Sequence, residues 1–341
     1  MARGVGGVGG GEERVLERIR RAFGVRGSAQ SRAKFVALGM GDDAALVRPS
    51  PGYETVLTCD WFLEGTHFLR DKHPADSVGW KCLTRAVSDV AAMGGVPRCF
   101  LLSLALSKDL SGRWLDGFLS GLKRAGGAFG CDLAGGDTTE RREILINVAV
   151  VGEVRRGRAL RRSGARPGDI IYVSGRLGEA ELGLPLVRAG RGSLGLKDER
   201  VRKHLFPEPR LGLGRWLAEK GLATAMMDLS DGLSSDLRRL CEASGVRGAV
   251  FGPMVPAVRL TELERSGGVD AQQLALNGGD DYELLFTVPD RKKHLVPRAI
   301  DGVTVTAIGR ITRGRSVVLI DEDGKSSELK PLGWDPFRSK E

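Results

Sequence analysis

Carboxylates stand beside glycine, serine or threonine at six places along this sequence of 341 residues. Each acid ends or follows an apolar run. A carboxylate that is merely solvated on the surface does not need such neighbours. Glycine lets a ligand approach the backbone, and carboxylate oxygens bind hard cations such as Mg²⁺. The pattern predicts a triphosphate held through several Mg²⁺ ions. The acids are Asp43, Asp60, Asp89, Asp137, the pair Asp228 and Asp231, and Asp280.

The stretch CDLAGGDTTE, residues 131–140, places two glycines directly before an acid and two threonines. In one interpretation Gly135 and Gly136 admit a phosphate, Asp137 holds the neighbouring metal ion, and the hydroxyls make the remaining bonds. In the other, the stretch is an ordinary turn in which Asp137 caps a helix. The residues of this stretch leave both interpretations open.

Common nucleotide-binding motifs are missing from the sequence. It contains neither the G-x-x-x-x-G-K-[ST] motif nor the H-R-D and D-F-G kinase motifs. The N-terminal GVGGVG matches G-x-G-x-x-G, but no strand precedes it, so we reject a dinucleotide site there. The acids therefore indicate a nucleotide enzyme that relies on carboxylates and metal ions rather than on a P-loop lysine.

The composition excludes several classes of protein. No apolar run reaches the length of about 18 residues that crosses a membrane, and the N-terminus lacks the apolar region of a signal peptide. Net charge is +9, but only 6% of residues are aromatic and they do not alternate with the basic runs at 155–166 and 291–293, so we expect no nucleic acid partner. The five cysteines form no C-x-x-C pair, which indicates reduced, buried thiols in a cytoplasmic protein and no zinc site.

Hydrophobic periodicity predicts strands that alternate with helices. Predicted helices cover 12–23, 75–93, 114–122, 177–188 and 233–241. Predicted strands cover 44–47, 55–59, 99–106, 144–151, 170–175, 283–288 and 303–311, and a hairpin turns at 323–324. We therefore predict an α/β (α+β) chain with a tail and first helix (1–27), an N-terminal domain (28–153) and a C-terminal α/β domain (154–341).

Eight segments in a fixed order resemble the thiamine-monophosphate kinase family, which belongs to the superfamily of aminoimidazole ribonucleotide synthetase and selenophosphate synthetase. The resemblance covers roughly residues 38–337. The segments are GMGDDAALV, LTCDWFLEGTHF, AVSDVAAMGGVP, LAGGDTT, GRALRRSGARPGD, MDLSDGLSSDL, NGGDDYELLFTVP and GWDPF.

The resemblance implies that the N-terminal domain (28–153) binds ATP and Mg²⁺. It also implies that this domain has a mixed sheet with helices that pairs with its twin, so that the chain forms a homodimer around a barrel of strands. It also implies direct, in-line transfer of the γ-phosphoryl group of ATP to thiamine monophosphate, with Mg²⁺ as cofactor and no phospho-enzyme. The near-continuous apolar strands at 99–106 and 144–151 favour the same pairing, because such strands need cover on both faces.

Site roles follow from the resemblance position by position. The implied catalytic residues are Asp137 and Arg162. The implied Mg²⁺ contacts are Asp43, Thr58, Cys59, Asp60, Asp89, Asp137, Asp228 and Asp231. The implied ATP contacts are Gly136, Asp137, Arg162 and Ser230. The implied contacts to the acceptor substrate are His67, Asp280 and Trp334.

Two positions depart from the family pattern. Cys59 stands where relatives usually have threonine, and since sulfur is a poor Mg²⁺ ligand, that contact must come from the backbone carbonyl or be lost. Asp280 stands where relatives usually have glutamate and reaches less far. The alternatives are therefore another ATP-using enzyme of the superfamily, similar to aminoimidazole ribonucleotide synthetase, and a non-catalytic regulatory protein that binds nucleotide or metal.

Overall fold

The computed structural model describes residues 11–24, 35–190 and 197–338. Its helices are α1 (Gly11–Phe23), α2 (Ala75–Ala92), α3 (Arg113–Phe129), α4 (Glu179–Arg188), α5 (Glu199–Leu205), α6 (Leu211–Lys220), α7 (Leu233–Ser244), α8 (Glu262–Ser266) and α9 (Ala271–Asn277). Its strands are β1 (Val36–Leu38), β2 (Leu46–Val47), β3 (Tyr53–Leu63), β4 (Val96–Leu106), β5 (Asp132–Glu140), β6 (Leu145–Arg155), β7 (Asp169–Ser174), β8 (Ala225–Leu229), β9 (Arg247–Phe251), β10 (Glu283–Pro289), β11 (Ala299–Ile300), β12 (Val303–Thr312), β13 (Ser316–Ile320) and β14 (Ser326–Glu328).

The N-terminal unit, α1 to β6, is built on a four-stranded sheet in the order β3-β6-β4-β5. Strand β6 runs antiparallel to both of its neighbours, and β5 runs parallel to β4. Side chains alternate between the two faces of a strand. One face therefore carries the buried residues Val56 and Phe62 of β3 and Leu102 of β4, which pack against α2 and α3 in the main core.

The opposite face of this sheet carries large apolar side chains that stay exposed. Leu57 is 74% exposed, Trp61 55% and Leu101 40%. The contact register places Leu57 beside Val151, and both Cys59 and Leu101 beside Ala149, so these side chains share one surface. An apolar surface of this kind on a sheet is a candidate interface.

The C-terminal unit, β7 to β14, contains a mixed sheet in the order β14-β13-β9-β12-β7-β10-β8, with β11 paired to β12. Its central strands are buried on both faces. One face packs against α7 and α9 around Leu237 and Leu276, and the other packs against α6 and the end of α2 around Leu217 and Ala92. Cover on both faces explains why a segment such as ELLFTV has consecutive apolar residues rather than an alternation of apolar and exposed polar ones.

Each predicted helix and strand overlaps an element of the structure, although α3 continues to Phe129 and β3 extends from Tyr53 to Leu63, well beyond the predicted ends. The predicted hairpin at 323–324 joins β13 to β14. Predicted tail residues 1–10 and 25–27 lie outside the described residues, and the domain boundary at 153/154 stays a prediction. No described helix is both long and apolar enough to cross a membrane. Four of the five cysteines are buried as expected; Cys59 is exposed, which corrects the prediction for that residue.

The interpretation of GGDTT as an ordinary turn with a capping Asp137 is wrong. Residues 132–140 form strand β5, which pairs with β4. Gly136 has a φ of +153°, and a Cβ at this position would lie 1.9 Å from the carbonyl oxygen of Leu102. The glycine is therefore required by the close approach of β4, which the sequence pattern alone did not show.

Candidate functional site

One face of α2 carries the charged residues that meet the C-terminal unit. Lys81, Arg85 and Asp89 follow each other at intervals of four residues, so they lie along the same side of the helix. Lys81 Nζ lies 2.7 Å from Asp280 Oδ2. Ser88, which directly precedes Asp89, donates a hydrogen bond of 2.7 Å to Asp228. The helix thus connects two regions of the site, one around Asp280 and one around Asp228.

Three of the predicted metal-binding acids come together beside this helix. Burial raises the pKa of Asp60 to about 6, and the nearby Asp89 and Asp231 contribute to the rise. Burial also raises the pKa of Asp228 to about 8, with Asp89 as the next cause. The pKa of Asp89 is raised by burial too, although the Thr58 hydroxyl donates a hydrogen bond to its carboxylate. These carboxylates repel one another, and although the charges of Arg85 and Arg162 partly offset the repulsion, none of the three acids forms an ion pair within the described part of the chain.

The donors in this acid cluster fit Mg²⁺. All are oxygen atoms, and a cation would offset the repulsion that raises the pKa values of Asp60 and Asp228. Within the described residues, no three His, Cys, Asp or Glu side chains converge closely enough to hold one ion by themselves. This agrees with the usual coordination of Mg²⁺, which takes one or two carboxylates and completes its shell with water and substrate phosphates.

The loop between β8 and α7 places Ser230 and Asp231 at the edge of the cluster. The carboxylate of Asp236 accepts hydrogen bonds from the backbone N–H groups of both residues, at 3.1 and 3.0 Å. Arg239 donates to Asp231 Oδ2 at 2.6 Å. Sequence reasoning missed Asp236, which is fully buried. It is the third acid of MDLSDGLSSDL, and its position inside an apolar helix was the available signal.

Arg162 lies in the segment between β6 and β7 and is exposed. Burial raises the pKa of Asp89, and the charge of Arg162 opposes that rise. The role of Arg162 as an ATP contact stays a prediction. A second predicted pair, Asp43 and Asp137, lies elsewhere.

Asp43, Gly136 and Asp137 line a separate cavity of about 950 Å³ at the β5 edge of the N-terminal sheet. Gly136 pairs with Leu102, Leu102 with Val148, and Val148 with Asp60. Gly136 and Asp60 therefore share one row across the sheet but stand three strand spacings apart, about 14 Å. Within one chain, the structure does not bring Asp137 to the acids around Asp60.

The side chain of Cys59 does not point toward the acid cluster. Thr58 and Asp60 face α2, whereas Cys59 lies on the exposed face, where its Sγ is 3.2 Å from Asn147 Oδ1. Because neighbouring residues of a strand point to opposite faces, the sulfur is not directed at the acids, which agrees with the expectation that any metal contact at Cys59 comes from its backbone. Its backbone carbonyl is the only group of this residue that stays a candidate ligand.

The three predicted acceptor contacts line one cavity of about 910 Å³ between the two units. His67 comes from the loop after β3, Asp280 from the loop before β10, and Trp334 from the C-terminal segment. Ser230 and Asp231 line the same cavity, so it continues to the edge of the acid cluster. Trp334 is 45% exposed and forms part of the rim, where its backbone N–H donates to the backbone carbonyl of Asp231 at 2.8 Å.

His67 is neutral and oriented. Its Nδ1 accepts a hydrogen bond of 3.0 Å from the backbone N–H of Leu63, which places the ring proton on Nε2. Burial lowers the pKa of His67 to about 4, and Arg85 and Lys81 contribute to the lowering. The imidazole can therefore donate a hydrogen bond from Nε2 to an anionic oxygen.

Asp280 is held in place by three side chains. The Lys81 ammonium donates to Oδ2. The Tyr282 hydroxyl donates to Oδ1 at 2.6 Å, and Nη1 of Arg85 lies 3.4 Å from the same oxygen. Although burial opposes it, the charges of Lys81 and Arg85 keep the pKa of Asp280 far below its usual value. The φ of Asp280 is +66°, an uncommon conformation for a residue other than glycine. The carboxylate is therefore fixed by the protein before any ligand binds.

Sequence reasoning missed Lys81, Arg85 and Tyr282. Asp89 was singled out because it is an acid on an otherwise apolar helix. The same argument applies one and two turns earlier, where Arg85 and Lys81 interrupt that apolar pattern. Lys81 is 1% exposed, and a lysine is rarely buried to this extent without a partner.

Comparison with known families assigns both units. Residues 41–154 match the AIR synthase related protein N-terminal domain, and residues 166–322 match the corresponding C-terminal domain. The thiamine-monophosphate kinase of Escherichia coli strain K12 is 36% identical over 89% of this chain and 92% of its own length.

Two solved structures have the same fold over nearly the whole chain. The thiamine-monophosphate kinase of Stenotrophomonas maltophilia K279a is 35% identical with a TM-score of 0.76, over 92% of this chain and 97% of its own. AaThiL complexed with AMPPCP and TMP is 33% identical with a TM-score of 0.74, over 95% of this chain and 96% of its own. This chain therefore belongs to the AIR synthase related proteins and, within them, to the thiamine-monophosphate kinase family.

Proposed function

We propose that this protein transfers the γ-phosphoryl group of ATP to thiamine monophosphate, giving thiamine diphosphate and ADP. The observation that carries the proposal is the single cavity lined by His67, Asp280 and Trp334, which extends to Ser230 and Asp231 beside the acid cluster. An acceptor in this cavity lies next to acids that suit a metal-bound nucleotide. The relatives named above and the complex of AaThiL with AMPPCP and TMP support the same pair of substrates.

Mg²⁺ is the proposed cofactor, held by Asp60, Asp89 and Asp228 on the α2 side. Thr58 and Cys59 directly precede Asp60 in the chain, and the Thr58 hydroxyl bonds to Asp89. When bound, the ions neutralise phosphate charge and polarise the transferred group. This role suits the cluster, because phosphoryl transfer depends on positioning and charge neutralisation more than on covalent chemistry by the protein.

The chain's own residues position the two anions. Arg162, Gly136 and Ser230 are proposed contacts to ATP, and Nε2–H of His67 is a proposed donor to the acceptor. An oxygen of the acceptor phosphate attacks the γ-phosphorus, the bond to the β–γ bridging oxygen breaks, and ADP leaves with that oxygen. The acceptor phosphate is already anionic near neutral pH, so no side chain needs to act as a strong base.

We also propose a homodimer with twofold symmetry, formed through the exposed face of the N-terminal sheet. Leu57, Trp61 and Leu101 lie on this face, and a second copy would cover them. Closing two such sheets into a barrel joins the β5 edge of each copy to the β3 edge of the other. This arrangement brings Asp137 of one copy toward Asp60 of its partner and removes the separation found within one chain.

The proposed activity is tested by measuring ADP release with thiamine monophosphate as the only acceptor and identifying thiamine diphosphate by ³¹P NMR. We expect turnover that EDTA abolishes and excess Mg²⁺ restores. Thiamine without its phosphate is the matched control and should give no product. ADP release that does not depend on thiamine monophosphate would reject the proposal and favour another ATP-using enzyme of the superfamily.

A further inference from the structure

Arg85 stands where the acceptor cavity meets the acid cluster. Its side chain is 18% exposed and lines the cavity that also contains His67 and Asp280. Its Cζ lies 5.6 Å from the centroid of the Phe62 ring, so the guanidinium rests over an aromatic face at the end of β3. The position of the guanidinium is thus fixed by α2, which carries Arg85, and by the Phe62 ring of β3, over which it lies.

The hydrogen-bonding capacity of Arg85 is only partly used. One terminal nitrogen, Nη1, donates to the Tyr282 hydroxyl at 2.9 Å and lies 3.4 Å from Asp280 Oδ1. Its Nε is buried and has no hydrogen-bond partner among the described residues. A buried donor without a partner costs free energy, so the guanidinium is incompletely satisfied by the protein, and its exposed part lies where a ligand in the cavity could bond to it.

The charge of Arg85 is also incompletely balanced. Asp280 is a single carboxylate shared by Arg85 and the fully buried Lys81, whose Nζ is the nearer cation at 2.7 Å. Asp280 therefore does not balance both cations by itself, although Glu181 of the same cavity also acts on Lys81. A phosphate monoester in the cavity could add negative charge beside Arg85 and accept from its guanidinium.

The electrostatic influence of Arg85 extends to both sides of the site. It lowers the pKa of His67 in the acceptor cavity and opposes the rise in the pKa of Asp60 in the acid cluster. Two other arginines, Arg188 and Arg338, line the same cavity, but both are exposed. Of the arginines that line this cavity, Arg85 is the most buried and faces the acids.

We propose that Arg85 binds the phosphate of the acceptor and holds it beside the metal-bound nucleotide, which makes it the residue that selects a phosphorylated acceptor over the free alcohol. This inference rests on the proposed function and adds a residue to it. Tyr282 and Asp280 fix the guanidinium plane, and His67 Nε2–H lies in the same cavity as a second donor. Lys81 acts through Asp280 and has no contact with the acceptor.

The experiment compares Arg85→Gln with wild type by calorimetry, using the full chain with Mg²⁺ and a non-hydrolysable ATP analogue. Two probes are titrated, thiamine monophosphate and thiamine. We expect Arg85→Gln to weaken binding of thiamine monophosphate at least tenfold and to leave the affinity for thiamine within about twofold, consistent with loss of a charge-assisted contact. Arg85→Lys keeps a charge and should recover part of the affinity for the phosphorylated probe.

Arg124→Gln is the matched control variant. Arg124 also lies 5.6 Å over a phenylalanine ring, Phe206, and its Nη2 donates to Asp76 at 3.0 Å, but it lies outside the cavity. It should bind both probes as wild type does. If weaker binding came only from loss of the guanidinium–aromatic contact, Arg85→Gln and Arg124→Gln would weaken binding of the probes to the same extent.

The possible outcomes separate this inference from the proposed function. If wild type binds thiamine monophosphate and Arg85→Gln binds it equally well, or loses both probes to the same extent, the inference about Arg85 is rejected and the proposed function stands. If an Arg188→Gln variant instead loses the preference for the phosphorylated probe, that arginine takes the role. If wild type binds no thiamine monophosphate, the proposed function is rejected together with the inference.

Discussion

The Nζ of Lys81 lies 2.7 Å from Oδ2 of Asp280, and this ion pair joins α2 of the N-terminal unit to the loop before β10 of the C-terminal unit. Lys81 is 1% exposed, so its charge depends on Asp280 for compensation. The pair fixes the wall of the acceptor cavity and also holds the two units together. Burial lowers the pKa of Lys81, and Asp280 opposes that effect.

Lys81→Met should destabilise the fold by about 3 kcal/mol, because it leaves Asp280 with less cationic compensation in a buried site. The double variant Lys81→Met, Asp280→Asn should recover part of the loss, since no carboxylate then lacks its partner. Urea unfolding of the three proteins measures the difference. If Lys81→Met were as stable as wild type, Arg85 and Tyr282 alone would be sufficient to stabilise the buried carboxylate of Asp280.

His67→Ala should raise the KM for thiamine monophosphate about tenfold or more and change the KM for ATP little, because it removes one donor to an anionic group. The reason is geometric: Nδ1 is occupied by the Leu63 N–H, so Nε2 is the atom available to the acceptor cavity. Steady-state kinetics with each substrate varied in turn is the measurement. Equal effects on both KM values would assign His67 a structural role.

Asp60→Asn and Asp137→Asn should each lose most of their turnover while keeping the fold, because each removes one proposed metal-ligand charge. Mixed after unfolding and refolding together, the two variants should regain about a quarter of wild-type activity. Half of the dimers are then mixed, and one of the two sites in each mixed dimer has both acids. Mixtures with no more activity than the separate variants would place both acids in a site within one chain.

Leu57→Asp should convert the proposed dimer into monomers, because it places a charge in the apolar surface that a second copy covers. Leu57 is 74% exposed in the single chain, so the monomer should stay folded. Leu263→Asp is the control, since Leu263 is 82% exposed on α8, away from that surface. Sedimentation velocity distinguishes the two. Monomeric wild-type protein with full activity at micromolar concentration would contradict the dimer.

The buried pair His73 and His204 predicts loss of stability in acid. Their Nε2 atoms are 3.3 Å apart, and burial lowers the pKa of His73 from 6.5 to about 4, helped by Lys81 and Arg188 and opposed by Asp280. The unfolded chain therefore binds a proton at His73 before the folded chain does. This contribution to stability is complete above pH 6.5 and falls as the pH drops toward 4.

The size of this effect is about 3 kcal/mol at most for His73, from the difference between its folded and unfolded pKa values. Urea midpoints at pH 7 and pH 4.5 measure it. A His73→Gln variant keeps a polar side chain without the titration and should lose less stability between the two pH values than wild type. An identical loss in both proteins would assign the acid sensitivity to the carboxylates instead.

The sequence determined the elements and the types of residue at the site. Hydrophobic periodicity predicted the helices and strands, because side chains that face the core recur at the spacing of the element. The acids beside Gly, Ser and Thr predicted a metal site that includes Asp60, Asp89 and Asp228, because a solvated surface carboxylate does not need to stand at the end of an apolar run. The eight ordered segments identified the family, which the comparisons confirm.

Only the tertiary structure decided which of these residues meet. The faces of β3 separate Cys59 from Asp60, and the width of the N-terminal sheet separates Asp137 from both. Sequence spacing is silent on such distances, because they depend on strand order and register rather than on position in the chain. For the same reason the sequence does not distinguish Arg85 from any other cation on a helix. In the structure α2 packs against the loop of Asp280, and the Nε of Arg85 is buried without a partner among the described residues.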